Sequence, residues 1–229
     1  MRSGTNKMIQ ICASLLAADY ARLGEEVQRA EKAGVDSFHF DMMDGHYVQN
    51  LALTPDHLKA LRSYSNLPFH AHLELDNPDN VLFNFASMQA DMIIVQWNTL
   101  TNPLQTFEKI HSKNIKIGLG LTPDDALDNA SRFFREIDLL LILGVYPGFG
   151  GQSIQPGTSE KIRSARKIMD QIDNRPDIAV DGGVKLENAA DLVRAGADIL
   201  IMGTALFQST NMAETVKAVR ESIVESQRH

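Results

Sequence analysis

The sequence is short of several things, and each shortage removes a class of protein. Among its 229 residues there is one cysteine, Cys12, so no disulfide within the chain can staple the fold, and a reducing compartment suits it. Positive charge is in deficit: 22 Lys and Arg against 29 Asp and Glu give a net charge of -7. That leaves no global basic field for nucleic acid or an anionic membrane, and any anionic ligand must be held by local geometry. No apolar run approaches the roughly 18 residues of a spanning helix, and the opening "MRSGTNKMIQ" has no apolar stretch of the secretory kind. The reading therefore expects a soluble, cytoplasmic protein that binds neither nucleic acid nor membrane, with residues 1–7 as a flexible extension. Linkers and low-complexity stretches are missing too. With 44% hydrophobic and 22% charged residues, there is material for a sizeable core.

What is present is an unbroken alternation of short apolar runs with amphipathic segments. Strand-like runs fall at Met8 to Ser14, Val35 to Asp41, Leu67 to Glu74 and Asp91 to Trp97. Four more follow at Ile115 to Leu121, Ile137 to Val145, Asp177 to Asp181 and Asp198 to Gly203. Between the first two, Leu23, Val27 and Ala30 share one helical face and Gly34 is placed as a C-terminal cap. Met8, Met42 and Met202 sit in apolar runs and read as core, whereas His57, His111 and His229 read as unpartnered surface residues. Eight βα units predict a (β/α)8 TIM barrel, a single domain over residues 1–229. A doubly wound open sheet is the rival, but no GxGxxG follows the first strand.

In such a barrel, chemistry gathers at the C-terminal ends of the strands, where eight loops converge. Late in strand 2, "SFHFDMMDGH" offers His39 and Asp41, two apart and so on one face, with Met43 continuing it. Strand 3 offers His70, His72 and Glu74 by the same parity, and strand 7 ends in Asp181. Singly, each has a structural explanation as a capping or hydrogen-bonded residue. Two imidazoles and two carboxylates converging on one mouth supply a ligand set for one divalent metal: zinc, iron, manganese or cobalt. The same set suits removal of a proton beside a carbonyl, and aspartates on opposite faces of that carbon would invert it. Asp44 and His46 belong to the following loop, where Asp44 orients backbone rather than metal.

Glycines mark the other half of a site. Gly148, Gly150 and Gly151 follow strand 6, Gly182 and Gly183 follow strand 7, and Gly203 with Thr204 opens a short helix after strand 8. Three clusters at successive strand ends predict a phosphate site, since turns alone do not call for all of them.

These stretches resemble the ribulose-phosphate 3-epimerases and their hexulose-phosphate relatives. The resemblance runs through "ASLLAADYARLGEEV", "FHFDMMDGHYVQN", "HAHLEL", "GVYPGFGGQS", "AVDGGV" and "ADILIMGTALF". It implies that His39, Asp41, His72 and Asp181 hold the metal, that Asp41 and Asp181 are the acid and base, and that Ser14 lies near the substrate's hydroxyls. It further implies that Gly148, Phe149, Gly150, Gly151, Gly182, Gly183, Gly203 and Thr204 form the phosphate loops, and that Met43 lines the reacting carbon. The implied activity is inversion of C3, D-ribulose 5-phosphate to D-xylulose 5-phosphate, by an isomerase; a barrel of this size can also form a homo-oligomer, though no interface signature stands out in the sequence.

Departures from the pattern bear on the substrate. Glu74 and Leu143 stand where the family has methionines, Gln96 stands for a histidine, His70 for an aspartate and Gln49 for a proline. Glu74, Gln96 and Leu143 are thus the specificity candidates, with Glu74 facing either the metal or solvent. Trp97 is either a pocket wall or simple packing. An epimerase for a hexulose phosphate such as allulose 6-phosphate, a phosphate-binding barrel lyase or decarboxylase, and a sugar-phosphate sensor without turnover stay open beside the main reading.

Overall fold

The structure, a computed structural model, describes residues 8–80, 89–226 and 228. The expected extension at residues 1–7 and the expected surface position of His229 lie outside the described residues. Eight parallel strands close into a barrel in chain order. They are β1 Gln10–Ser14, β2 Ser37–Met43, β3 Phe69–Glu74 and β4 Met92–Gln96, then β5 Lys116–Leu121, β6 Leu139–Leu143, β7 Asp177–Asp181 and β8 Ile199–Met202. Closure is made by β1 against β8, from Gln10 opposite Ile199 to Ala13 opposite Met202.

Alternation along each strand divides the apolar residues between two cores. In β6, Leu139, Leu141 and Leu143 point into the barrel with Cys12, Met92, Ile94, Ala179, Ile199 and Ile201. Leu140 and Ile142 point outward into the layer beneath the helices. Both faces of the strand are covered, which is why it reads as one continuous apolar run. The helix Leu23–Lys32 buries the face expected of it, Leu23, Val27 and Ala30, and Gly34 follows at φ 92°, a left-handed position that ends the helix at little cost to glycine.

Differences from the sequence reading have local causes. β2 runs two residues past Asp41, because Met42 and Met43 still pair with Leu73 and Glu74 of β3. Met8 is 75% exposed rather than core; the ladder starts only at Gln10, whose N–H donates to Asp198 O. Met42 and Met202 are buried as expected. His57 and His111 do have partners: His57 caps its helix through Thr54, and His111 Nε2 lies 3.5 Å from Asp138 Oδ2. Trp97 packs on Phe133 with ring centroids 5.5 Å apart, so packing is its role. Among the described residues no helix is long and apolar enough to cross a membrane.

At the bottom of the barrel a fourfold device repeats. The aspartate just before or near the start of each even strand accepts a backbone N–H from the odd strand before it. Asp36 takes Ile11 N–H at 2.7 Å, Asp91 takes Phe69 at 2.8 Å, Asp138 takes Ile117 at 2.9 Å and Asp198 takes Ile178 at 2.9 Å. Arg220, Arg62, His111 and Arg166, in that order, lie against the same carboxylates. Arg220, on the last helix Met212–Ser226, also donates to Ile9 O and Gly34 O. Charge-assisted bonds at this end fasten one strand to the next and leave the other end free for loops.

Candidate active site

The inward positions of the barrel are unequal. On β4 and β6 they are largely apolar, but on β1, β2 and β3 they hold Cys12, Ser14, His39, Asp41, His70, His72 and Glu74, all buried. The register explains their meeting: Ser14 pairs with His39, His39 with His70, Asp41 with His72 and Met43 with Glu74. Asp181 closes the group from the end of β7.

A cleft of about 390 Å³ opens above them at the C-terminal end of the barrel, lined by Ser14, Asp41, Met43, Glu74, Leu143 and Asp181 on its floor. Gly148, Phe149, Gly150, Gly151, Gly182, Gly183, Gly203 and Thr204 line its far wall. His39 and His72 lie beneath this floor with no exposed surface. His39 Nε2 and His72 Nδ1 are 3.2 Å apart, and each is 3.2 Å from Asp41 Oδ1. Asp181 Oδ2 is 3.6 Å from His39 Nε2. The Ser14 hydroxyl donates to the other Asp41 oxygen at 2.9 Å. One donor atom from each of His39, Asp41, His72 and Asp181 falls within 4.8 Å of the rest. Two ring nitrogens turned toward each other and toward one carboxylate oxygen bring several lone pairs to a point that a proton serves poorly and a cation serves well. The residues fit a divalent metal, two nitrogens and two oxygens being an accepted set.

The charges respond to one another. Burial pulls the Asp41 carboxyl upward, but the two imidazoles outweigh it and hold Asp41 below the ordinary carboxylate range. Burial also opposes the charged form of His39, which the carboxylates of Asp41 and Asp181 overcome to raise it. His72 ends lower than a free imidazole, because burial and the neighbouring His39 outweigh its bond to Asp41. Burial, against the pull of His39 and with the charge of Asp41, pushes Asp181 up to about 7. The surroundings thus push these two carboxyls in opposite directions, Asp41 down and Asp181 up.

Glu74 is settled as an inward residue, 2% exposed, with Oε2 buried and without a hydrogen bond among the described residues. Burial, then Asp41 and Asp181, raise its carboxyl well above the usual range. Gln96 sits at the base of the cluster, fully buried, its amide nitrogen 2.8 Å from His72 Nε2. Asp44 orders its loop: Oδ1 accepts from His46 N and Tyr47 N, and Oδ2 from Asp76 N at 2.9 Å. That loop reaches the glycine wall, where Asn50 Nδ2 donates to Gly148 O at 2.6 Å. Gly182 and Gly183 have φ of 92° and 71°. A Cβ on Gly183 would come within 2.5 Å of Ile154 N, so both the backbone conformation and the space demand glycine.

Sequence reasoning missed Asn50 and Gln152. The Gln152 amide donates to both Tyr146 O and Phe149 O at 2.8 Å and holds the loop after β6 in shape. Their signal was there, one amide in each of the two loops at the mouth, but an amide's partner cannot be read without the opposite loop.

Known proteins resemble this chain closely. A model of the ribulose-phosphate 3 epimerase family matches residues 10–207. A ribulose-phosphate 3-epimerase of Buchnera aphidicola from Acyrthosiphon pisum is 37% identical over 214 residues, 93% of this chain and 94% of that one. The enzyme of that name from Escherichia coli K12 is 35% identical over 95% of this chain and 97% of its own. One from Bacillus subtilis 168 is 33% identical over 94% of this chain and 100% of its own. Solved structures share the barrel at low identity. KGPDC from Streptococcus mutans superposes with a TM-score of 0.72 at 15% identity, covering 95% of this chain and 98% of that one. A 3-hexulose-6-phosphate synthase from Salmonella typhimurium superposes at 0.70 and 14%, covering 95% and 100%.

Proposed function

This chain belongs to the ribulose-phosphate 3-epimerase family, and from that membership we propose that it is an isomerase that inverts C3 of a ketose phosphate, D-ribulose 5-phosphate to D-xylulose 5-phosphate. The observation that carries the reading is the cluster of His39, Asp41, His72 and Asp181 under one cleft. An ionised carboxylate takes the C3 proton, leaving an enediolate. The protonated aspartate across the carbon returns a proton to the other face, and the two roles exchange in the reverse direction. Ser14 fixes Asp41 through Oδ2 and leaves Oδ1 turned to the imidazoles. Met43 and Leu143 give the reacting carbon an apolar wall that excludes water. The glycine-lined wall takes the phosphate through backbone N–H groups. His39, Asp41, His72 and Asp181 would hold one divalent cation, zinc, iron, manganese or cobalt, whose charge when bound stabilises negative charge on the substrate's oxygens. The enzyme of this reading works in the cytoplasm on a free sugar phosphate.

Glu74 favours a second substrate within the same chemistry. A buried carboxyl on the cleft floor, its Oε2 without a hydrogen bond among the described residues, offers a hydrogen bond to an additional or differently placed hydroxyl, as in a hexulose phosphate such as allulose 6-phosphate. The test is proton exchange in deuterated water, followed by NMR, on ribulose 5-phosphate and on hexulose 6-phosphates. Exchange at C3 with formation of the epimer is the expected result. Tight binding with no exchange at that carbon would overturn the reading and leave a sugar-phosphate sensor.

A further inference from the structure

Below the catalytic layer the barrel holds a second group of donors, two of which, Cys12 and His70, the epimerase chemistry does not use. Cys12 of β1, His39 of β2 and His70 of β3 each offer a ligand atom, and these three atoms lie within 4.8 Å of one another. The ladder places them there: His39 is directly opposite His70, and Cys12 is opposite Ser37, two residues before His39. All three are buried, Cys12 and His39 completely.

Ring nitrogens around this point lack partners. His39 Nδ1 and His70 Nδ1 are two of the buried side-chain atoms with no hydrogen bond among the described residues. Folded proteins pair roughly 90% or more of such atoms, so two orphaned ring nitrogens beside one thiol call for an occupant. The rest of that level, Met92, Leu139 and Ile199, is apolar and offers them nothing. His39 already faces the upper cluster with Nε2, which leaves Nδ1 as its unused atom.

We propose that Cys12, His39 and His70 form a second, inner site for a borderline-soft divalent cation of the zinc class, which shares His39 with the four-donor site at the cleft floor. A thiolate with two imidazoles is a zinc and cobalt set, and it disfavours magnesium and calcium, which take oxygen. The departure at position 70, where the resembling family carries an aspartate, is what supplies the third soft ligand. Binding releases the Cys12 thiol proton to solvent. When both sites are filled, the remaining His39 N–H proton leaves as well, and the ring bridges the two ions as an imidazolate. The inner ion ties β1, β2 and β3 together and fixes the His39 ring from below.

Cobalt(II) titration of the metal-free full-length chain tests this directly. Two equivalents are expected, one of them bringing thiolate-to-cobalt charge-transfer absorption in the near ultraviolet. Cys12→Ser and His70→Asn each remove that band and one equivalent, while His72→Asn keeps the band and loses the other. A single equivalent without the band, unchanged in Cys12→Ser, overturns the proposal and gives the orphaned atoms to buried water. The band without a His72-dependent equivalent upholds the inner site and counts instead against the outer one, so the two readings fail separately.

Discussion

Gln96 and His72 meet nitrogen to nitrogen, amide Nε2 to ring Nε2, at 2.8 Å, while Gln96 Oε1 is buried without a partner among the described residues. Turning the amide over brings Oε1 onto the ring N–H and leaves the His72 Nδ1 lone pair aimed into the four-donor cluster. β5 makes room for this, since a Cβ on Gly120 would sit 2.8 Å from Gln96 Oε1. Gln96→Leu should weaken binding of the outer metal by about 10–100-fold, read by competition with a chelator. Gln96→His, which again offers an acceptor nitrogen, should recover most of the loss. Equal affinities in all three proteins would show that Gln96 merely fills space.

In the proposed mechanism Asp41 and Asp181 share the proton transfer, so neither can be spared. Asp41→Asn and Asp181→Asn should each lower turnover by about 10²–10⁴, with binding of the sugar phosphate affected far less. Stopped assays for kcat, alongside calorimetric binding of a non-reacting phosphate analogue, separate the two effects. A variant that keeps wild-type turnover removes that aspartate from the reaction.

Glu74→Met should leave the metal content intact and shift preference among ketose phosphates by about tenfold or more, the scale of a lost hydrogen bond to a substrate hydroxyl. The comparison is kcat/KM across pentulose and hexulose phosphates. Ratios identical to wild type would leave Glu74 with no part in substrate choice.

Removing divalent metal with a chelator should abolish exchange and lower Tm, and adding metal back should restore both. A cation present at about 100 times its Kd adds about 2.7 kcal/mol to the folded state, several degrees for a chain of this size. Calorimetry with and without chelator reads it, and a Tm that ignores the chelator would rule out a bound ion in the resting protein.

At the closed end of the barrel, Asp198→Ala removes the acceptor of Ile178 N–H and strands Arg166, whose side chain is only 14% exposed. Leaving a mostly buried guanidinium without its counter-charge, though still donating to Gly196 O, costs about 3 kcal/mol. Asp198→Asn, which keeps an acceptor, should cost less. Denaturant melts of the two variants give the order, and activity per folded molecule should not change in either.

The barrel was legible because its strands are covered on both faces. A run such as "LLLIL" (Leu139 to Leu143) suits a parallel strand buried on both faces. Parity alone brought His39 and Asp41 to one face, and His72 and Glu74 to another, and the register then joined those faces. Parity could not decide whether Glu74 stayed in the barrel or turned to solvent, because that depends on the walls contributed by β2, β6 and β7. The ring formed by Asp36, Asp91, Asp138 and Asp198 went unread for a different reason. Each aspartate looks like an ordinary strand-flanking residue until four strand ends are seen side by side. Met8 failed as a core residue because hydrophobicity says nothing of where a ladder begins.

Joining β1 to β8 also sets the order in which the molecule can be completed. β1 is the first strand to leave a ribosome and its partner is the last, and the Arg220 clasp on Ile9, Gly34 and Asp36 arrives later still. Until then the nascent sheet carries two open edges, each able to pair with a neighbouring chain. How long that exposure lasts is governed by the speed of translation, so codon usage and chaperone supply late in the message become part of how reliably this barrel closes.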